Sequence, residues 1–113
     1  MAVTTFIHDG QAIDYTPAAD VAAGDVVVQG ELVGVAKTPI AANTAGSLAV
    51  VGVFDFPKTT GVGTAIAAGS KVYWDATNGV ATTDDALGAN KLIGKTVRDA
   101  GDNDATVRVR LSQ

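Results

Sequence analysis

Apolar residues in this chain come in short bursts, each closed by a glycine, asparagine or aspartate. Three bursts follow the same phrase. It reads Val21-Ala22-Ala23-Gly24, then Ile40-Ala41-Ala42-Asn43, then Ile66-Ala67-Ala68-Gly69. Each copy ends in a residue that tolerates positive φ, glycine freely and asparagine next best. The runs Val26-Val27-Val28, Leu48-Ala49-Val50-Val51 and Val72-Tyr73-Trp74 then begin. The phrase reads as a tight turn that launches a β-strand.

The same reading places elements along the chain. Residues 3–7 and 12–15 flank His8-Asp9-Gly10-Gln11, whose Asp-Gly pair predicts a hairpin. Pro17 and Asp20 separate this N-terminal arm, residues 1–20, from a single body, residues 21–113. Strands are predicted at 25–29 and 32–36 around a Gly30-Glu31 turn. Residues 47–56 form the longest apolar run and predict a central strand, apolar on both faces. The Thr- and Gly-rich stretch 57–63 predicts a surface loop. Strands at 71–75 and 80–82 are joined through Asn78-Gly79, and a loop at 84–90 has room for one helical turn. Strands at 91–99 and 105–111 complete the set, the last alternating Val107, Val109 and Leu111 against Thr106, Arg108 and Arg110.

Adding 45 to the numbering maps Ala22-Ala23-Gly24 onto Ala67-Ala68-Gly69 and Val27 onto Val72. It also maps Gly34-Val35-Ala36 onto Gly79-Val80-Ala81, Thr38 onto Thr83 and Leu48 onto Ile93. The body thus reads as two related halves, about 21–58 and 66–111. Two copies are too few for a solenoid. The expected fold is all-β, a compact barrel or sandwich of short strands with an N-terminal hairpin or arm.

Composition supports that class. Thirteen glycines, one methionine and a preference for Asp over Glu, eleven to one, suit turns and short strands rather than helices. The net charge of −4 argues against a nucleic-acid-binding face. With no cysteine, neither disulfides nor thiolate metal sites are possible. No apolar stretch approaches the ~20 residues of a membrane span. Residues 1–10 lack a signal-peptide pattern, so synthesis in the cytoplasm is expected.

Candidate chemistry is sparse. The lone His8 sits in a predicted turn, and Ser47, Ser70 and Ser112 lie in no nucleophile elbow. In Lys58-Thr59-Thr60-Gly61-Val62-Gly63-Thr64 the lysine precedes the glycines, the reverse of a phosphate loop. Asp99, Asp102 and Asp104, with Asp84-Asp85, read as turn formers, since the spacing of a calcium loop is missing. No catalytic residue, metal or cofactor is expected. Among the aromatics, Phe54 and Phe56 share one strand face, and one of Tyr73 and Trp74 is expected to face outward.

The order of phrases is nevertheless distinctive. Gly24-Asp25-Val26-Val27, Leu32-Val33-Gly34-Val35-Ala36, Ile40-Ala41 with Gly46, and Val51-Gly52-Val53-Phe54-Asp55-Phe56-Pro57-Lys58 come in sequence. Ile66-Ala67-Ala68-Gly69, Val72-Tyr73-Trp74-Asp75, Leu92-Ile93-Gly94 and Ala105-Thr106-Val107-Arg108-Val109-Arg110-Leu111 follow. With Phe6, Gly10 and Ile13-Asp14-Tyr15 in the arm, this resembles the DUF2190 family of tailed bacteriophages, small capsid decoration or cement proteins. The resemblance implies a virion protein on the outer capsid surface. It would bind the major capsid protein and stabilise the shell against internal DNA pressure, without catalysis and without contacting nucleic acid or membrane. A recombinase label carried by some members is rejected, since a RecA-type ATPase needs a phosphate loop and a larger α/β core.

On that reading the protein is expected to be a symmetric homo-oligomer, a trimer in preference to a dimer. The arm is expected to supply capsid contacts through Phe6, Ile7, Ile13 and Tyr15, because two short strands are not stable alone. The alternative is a virion-surface module that binds a carbohydrate or host receptor, with Tyr73 or Trp74 stacking on a sugar.

Overall fold

The computed structural model describes residues 3–7 and 10–113. Its elements are β1 (Ala12–Tyr15), β2 (Val26–Gln29), β3 (Leu32–Val35), β4 (Gly46–Ala49), β5 (Gly52–Pro57), β6 (Lys71–Asp75), β7 (Val80–Thr82), β8 (Lys91–Thr96) and β9 (Thr106–Leu111), with a tight turn at Ala86–Gly88. They build two antiparallel sheets, ordered β1-β4-β3-β2 and β5-β9-β8-β6-β7. The fold is an all-β sandwich. The second sheet curls until Lys58, just after β5, meets Ala81 of β7 at one bridge, short of a closed barrel. No helix among the described residues is long and apolar enough to cross a membrane.

Period-two alternation makes the core. Phe56, Val72, Ile93, Val107, Val109 and Leu111 point inward from the second sheet and are nearly inaccessible. Val33 and Val35 of β3 close over them. Each such side chain contributes roughly 1.5–3 kcal/mol relative to exposure. A smaller cluster of Ala36, Ile40 and Leu48 sits under the other end of the first sheet. The Gln113 side chain completes β3 where β4 does not reach. Its amide accepts from Val33 N–H at 2.7 Å and donates to Val33 C=O at 2.8 Å, as a strand backbone would.

The repeated phrase forms turns as expected. Gly24 (φ 90°), Asn43 (φ 62°) and Gly69 (φ 80°) are all left-handed. The first two copies also clasp each other, Val21 and Ile40 exchanging two 2.9 Å backbone hydrogen bonds. The third pairs Ile66 with Ala100, the head of a turn that lacks the phrase's spelling.

Two expectations are corrected. The 47–56 run is not one central strand but two strands in different sheets. Gly52 at φ 133° lets the chain cross over, and Val51 and Val53 are half exposed. An apolar run that serves both sides of a crossing mimics a buried strand. The predicted hairpin at 3–15 also differs. Residues 3–7 form no strand, His8 and Asp9 lie outside the described residues, and β1 pairs with β4 instead.

The sheets share one order. Setting β7 aside, both run first, fourth, third, second in chain position. Leu32-Val33-Gly34 and Leu92-Ile93-Gly94 occupy matching third strands, 60 residues apart. Of the positions paired at an offset of 45, Val27 and Val72 both lie on second strands, β2 and β6. Leu48 and Ile93 fall on strands that do not correspond, and Gly79 lies in the turn before β7 whereas Gly34 is on β3, because the segment carrying β7 is inserted between. The chain passes from the first sheet to the second at residues 50–51, between β4 and β5.

At Gly34 and Gly94 the neighbouring strand leaves little or no room for a side chain. A Cβ on Gly34 would lie 3.0 Å from the Leu48 Cβ, and one on Gly94 would overlap the Arg110 carbonyl oxygen. Gly94→Ala is expected to destabilise the fold by at least about 3 kcal/mol, the upper range for overpacking, and Gly34→Ala by less. Urea denaturation of both variants checks the order.

Candidate functional site

The four residues expected to contact a partner divide into two pairs. Phe6 and Ile7 are 80% and 78% exposed, and Val3 nearby is 84% exposed. Ile13 and Tyr15 lie on β1 and pack against the Ala36–Ile40–Leu48 cluster. Their strand is the sheet edge, in register with β4 from Ala12 opposite Ala49 to Tyr15 opposite Gly46. One pair is offered to solvent, and the other holds the chain to the body.

The aromatic question resolves by packing. Trp74 shares the inner face with Val72 and lies against Phe56, ring centres 6.1 Å apart. Phe54 meets Phe56 edge-on at 6.4 Å. Tyr73 is therefore the outward one, and it is half buried. The single tryptophan is partly buried, with one side of its ring committed to Phe56.

Asp55 and Arg108 sit directly opposite on β5 and β9, joined through Nε at 2.9 Å and Nη2 at 3.2 Å. The Arg108 hydrogen bond holds the Asp55 carboxyl below its ordinary 3.8. Asp75 is lowered too, chiefly by the Asn78 side chain. Both are carboxylates at neutral pH.

Lys58 is the residue that sequence reasoning undervalued. It is only 5% exposed, at the start of the supposed surface loop. Its ammonium donates to Thr59 C=O at 2.7 Å, to Thr64 Oγ1 at 3.2 Å and to Asp104 C=O at 3.2 Å. Those three acceptors match its three protons, which leaves none for a phosphate. Thr64 Oγ1 in turn donates to Gly61 C=O at 2.7 Å, and Gly61 N–H donates to Asp102 C=O at 2.8 Å. The ammonium thus ties residues 58–64 to the 102–104 turn. A signal existed in the sequence: a lysine continuing a strand immediately after Pro57.

The aspartates are committed to the backbone. Of the ten aspartates among the described residues, eight accept from main-chain N–H groups: Asp20, Asp25, Asp75, Asp84, Asp85, Asp99, Asp102 and Asp104. Asp99 holds Ala68 N–H at 2.7 Å and Asp102 holds Ala65 N–H at 2.9 Å, so both brace the turns around Ile66. Among the described residues no three acidic or histidine side chains converge as a metal site would require. A depression of about 190 Å3 beside Asp55, Arg98, Asp99, Asp104 and Arg108 has Thr106 as its one hydroxyl side chain, with no imidazole in the lining to activate it.

Two outcomes test this arrangement. Lys58→Met is expected to cost about 2–3 kcal/mol, the range for buried hydrogen bonds to a charged group, with amide exchange rising at 59–64 and 102–104. Asp55→Asn is expected to be less stable than wild type at neutral pH. A depressed carboxylate contributes above its unfolded pKa and loses that contribution as pH falls through the folded one. The gap should therefore narrow below about pH 4 and close under strong acid, as thermal melts across pH would show.

No curated protein and no solved structure matches the chain. The model of one family, described as phage cement protein, matches residues 7–111. That span runs from the exposed Ile7 through both sheets, so the chain belongs to the phage cement protein family, with a phage capsid-stabilising role.

Proposed function

We propose that this chain is a non-enzymatic cement protein of the outer capsid surface, gripping the major capsid protein through its N-terminal segment. The observation that carries this reading is the exposure of Val3, Phe6 and Ile7 together, outside either sheet. Apolar side chains clustered at the surface mark an interaction site rather than a fold requirement. The accessible surface points the same way. At 6965 Å2 it is about a fifth above the roughly 5,700 Å2 expected of a monomer of 11.3 kDa.

On this reading residues 1–20 are an arm and residues 21–113 the body that positions it. Phe6 and Ile7 touch the shell, while Ile13 and Tyr15 seat β1 so that the contact is delivered from a fixed edge. Copies gather as a closed homo-oligomer, a trimer in preference to a dimer, around a local axis of the shell. Several weak arms then act together once one has engaged. The protein is made in the host cytoplasm and needs neither nucleic acid nor membrane. A carbohydrate or receptor module has less support, because Trp74 packs on Phe56 and the outward Tyr73 is itself half buried.

The test is co-sedimentation with undecorated capsids. Combined Phe6→Ser and Ile7→Ser should weaken binding at least tenfold, yet shift stability by no more than about 0.5 kcal/mol, as exposed positions do. Undiminished binding by that variant would sink the proposal. Sedimentation equilibrium of the free protein decides between trimer, dimer and monomer.

A further inference from the structure

The outer face of the second sheet carries an arrangement that its own fold does not explain. Lys71 of β6 lies directly opposite Lys95 of β8, and Lys95 directly opposite Arg110 of β9. Directly opposed residues point to the same face, so three cations form one row across three adjacent strands. Strands lie about 4.8 Å apart, so the backbone positions of the row span only about 10 Å. All three side chains are exposed. They border a shallow depression of about 130 Å3 with Leu92, Gly94 and Ser112. The row continues to Val53 of β5, opposite Arg110 and 56% exposed, and Tyr73 pairs with Leu92 beside it.

None of the three cations has a carboxylate partner among the described residues, where the only ion pairs are Lys91–Glu31 and Arg108–Asp55. The acids that share this face are engaged elsewhere, Asp55 with Arg108 and Asp75 with its own turn at Thr77 and Asn78. Like charges directly opposite destabilise a sheet. Their concentration here, in a chain of net charge −4, works against folding, and an external anion would relieve it.

We infer that the Lys71–Lys95–Arg110 row is a second docking surface, and that it receives a cluster of carboxylates on the capsid shell. The inference rests on the capsid-binding reading above and adds an electrostatic contact to the apolar one. A carboxylate cluster suits the row better than nucleic acid. The charge is confined to one short line with aliphatic and aromatic neighbours, whereas a long polyanion meets the protein's net negative field.

Lys95→Glu separates a docking role from a structural one, because it turns the row into an alternating one. Its Tm should rise by about 2–4 °C. Its binding to undecorated capsids in 50 mM salt should weaken at least tenfold. Wild-type binding should weaken severalfold between 50 and 300 mM salt, and that of the variant much less. Lys71→Gln should move both readouts the same way by less. Equal binding and equal salt dependence of wild type and Lys95→Glu overturns the inference while leaving the apolar contact standing. If wild type does not bind shells at all, the capsid reading fails. A parallel titration with oligo-glutamate, followed by the amide shifts of 71, 95 and 110, then decides the row alone, and no shift overturns it. Tighter binding to duplex DNA than to oligo-glutamate overturns the carboxylate assignment. Self-association that Lys95→Glu abolishes overturns the shell as occupant in favour of a second copy.

Discussion

Neither sheet of this protein can bury its inner face without the other, and everything else follows from how they meet. The contact is β3 over β8. Val33 and Val35 complete a core whose remaining members come from the second sheet and its connections. Small residues govern the strand spacing on both sides, Gly34 against β4 and Gly94 against β9. Polar clasps then hold the edges that packing leaves open. The Gln113 amide finishes β3, and the Lys58 ammonium pins the loop after β5. A buried cation held by neutral acceptors is costly to desolvate, and three well-placed hydrogen bonds are what make it tolerable.

Turn chemistry was the most legible part of the sequence. The left-handed positions at Gly24, Asn43 and Gly69, the alternation of 107–111 and the strand pairs around Glu31 and Asn78 follow from local residue properties. Relations between distant strands were less legible. The 47–56 run hides a crossing because Val50 and Val51 look like core, although they only bridge the sheets. The true correspondence of strands was masked by the insertion around β7, which breaks a constant offset midway. Composition also cannot tell whether a lysine snorkels or burns desolvation energy inside, so Lys58 read as the edge of a loop. Of the candidate site, Phe6 and Ile7 were expected in the first strand of a hairpin, and only the absence of that strand shows them left in solvent. Ile13 and Tyr15 were not distinguishable from them until β1 was seen against β4.

The charge pattern has a common origin with the turns. A fold made of short strands needs many tight reversals, and aspartate carboxylates lock the N–H groups those reversals leave open. With eight aspartates so occupied, most of the negative charge gathers at the turns, and on the strands of the second sheet Asp55 is left to pair Arg108. Lys71, Lys95 and Arg110 on β6, β8 and β9 have no carboxylate of their own chain paired to them among the described residues, and a partner can supply one.

The placement of β1 also has a mechanical meaning. Any tension applied to residues 3–7 enters the body where β1 begins, at the 3.0 Å hydrogen bond from Val50 N–H to Gln11 C=O. Drawn along the strand axis, such a load falls on the β1–β4 ladder in shear and is shared by its bonds at once. Drawn outward from the sheet, it peels them one by one. An expanding shell stretches what is fastened across it within its own plane. A body lying with β1 parallel to that plane would meet the load in its stronger direction, so the orientation of a single edge strand sets how much strain the fastening can bear.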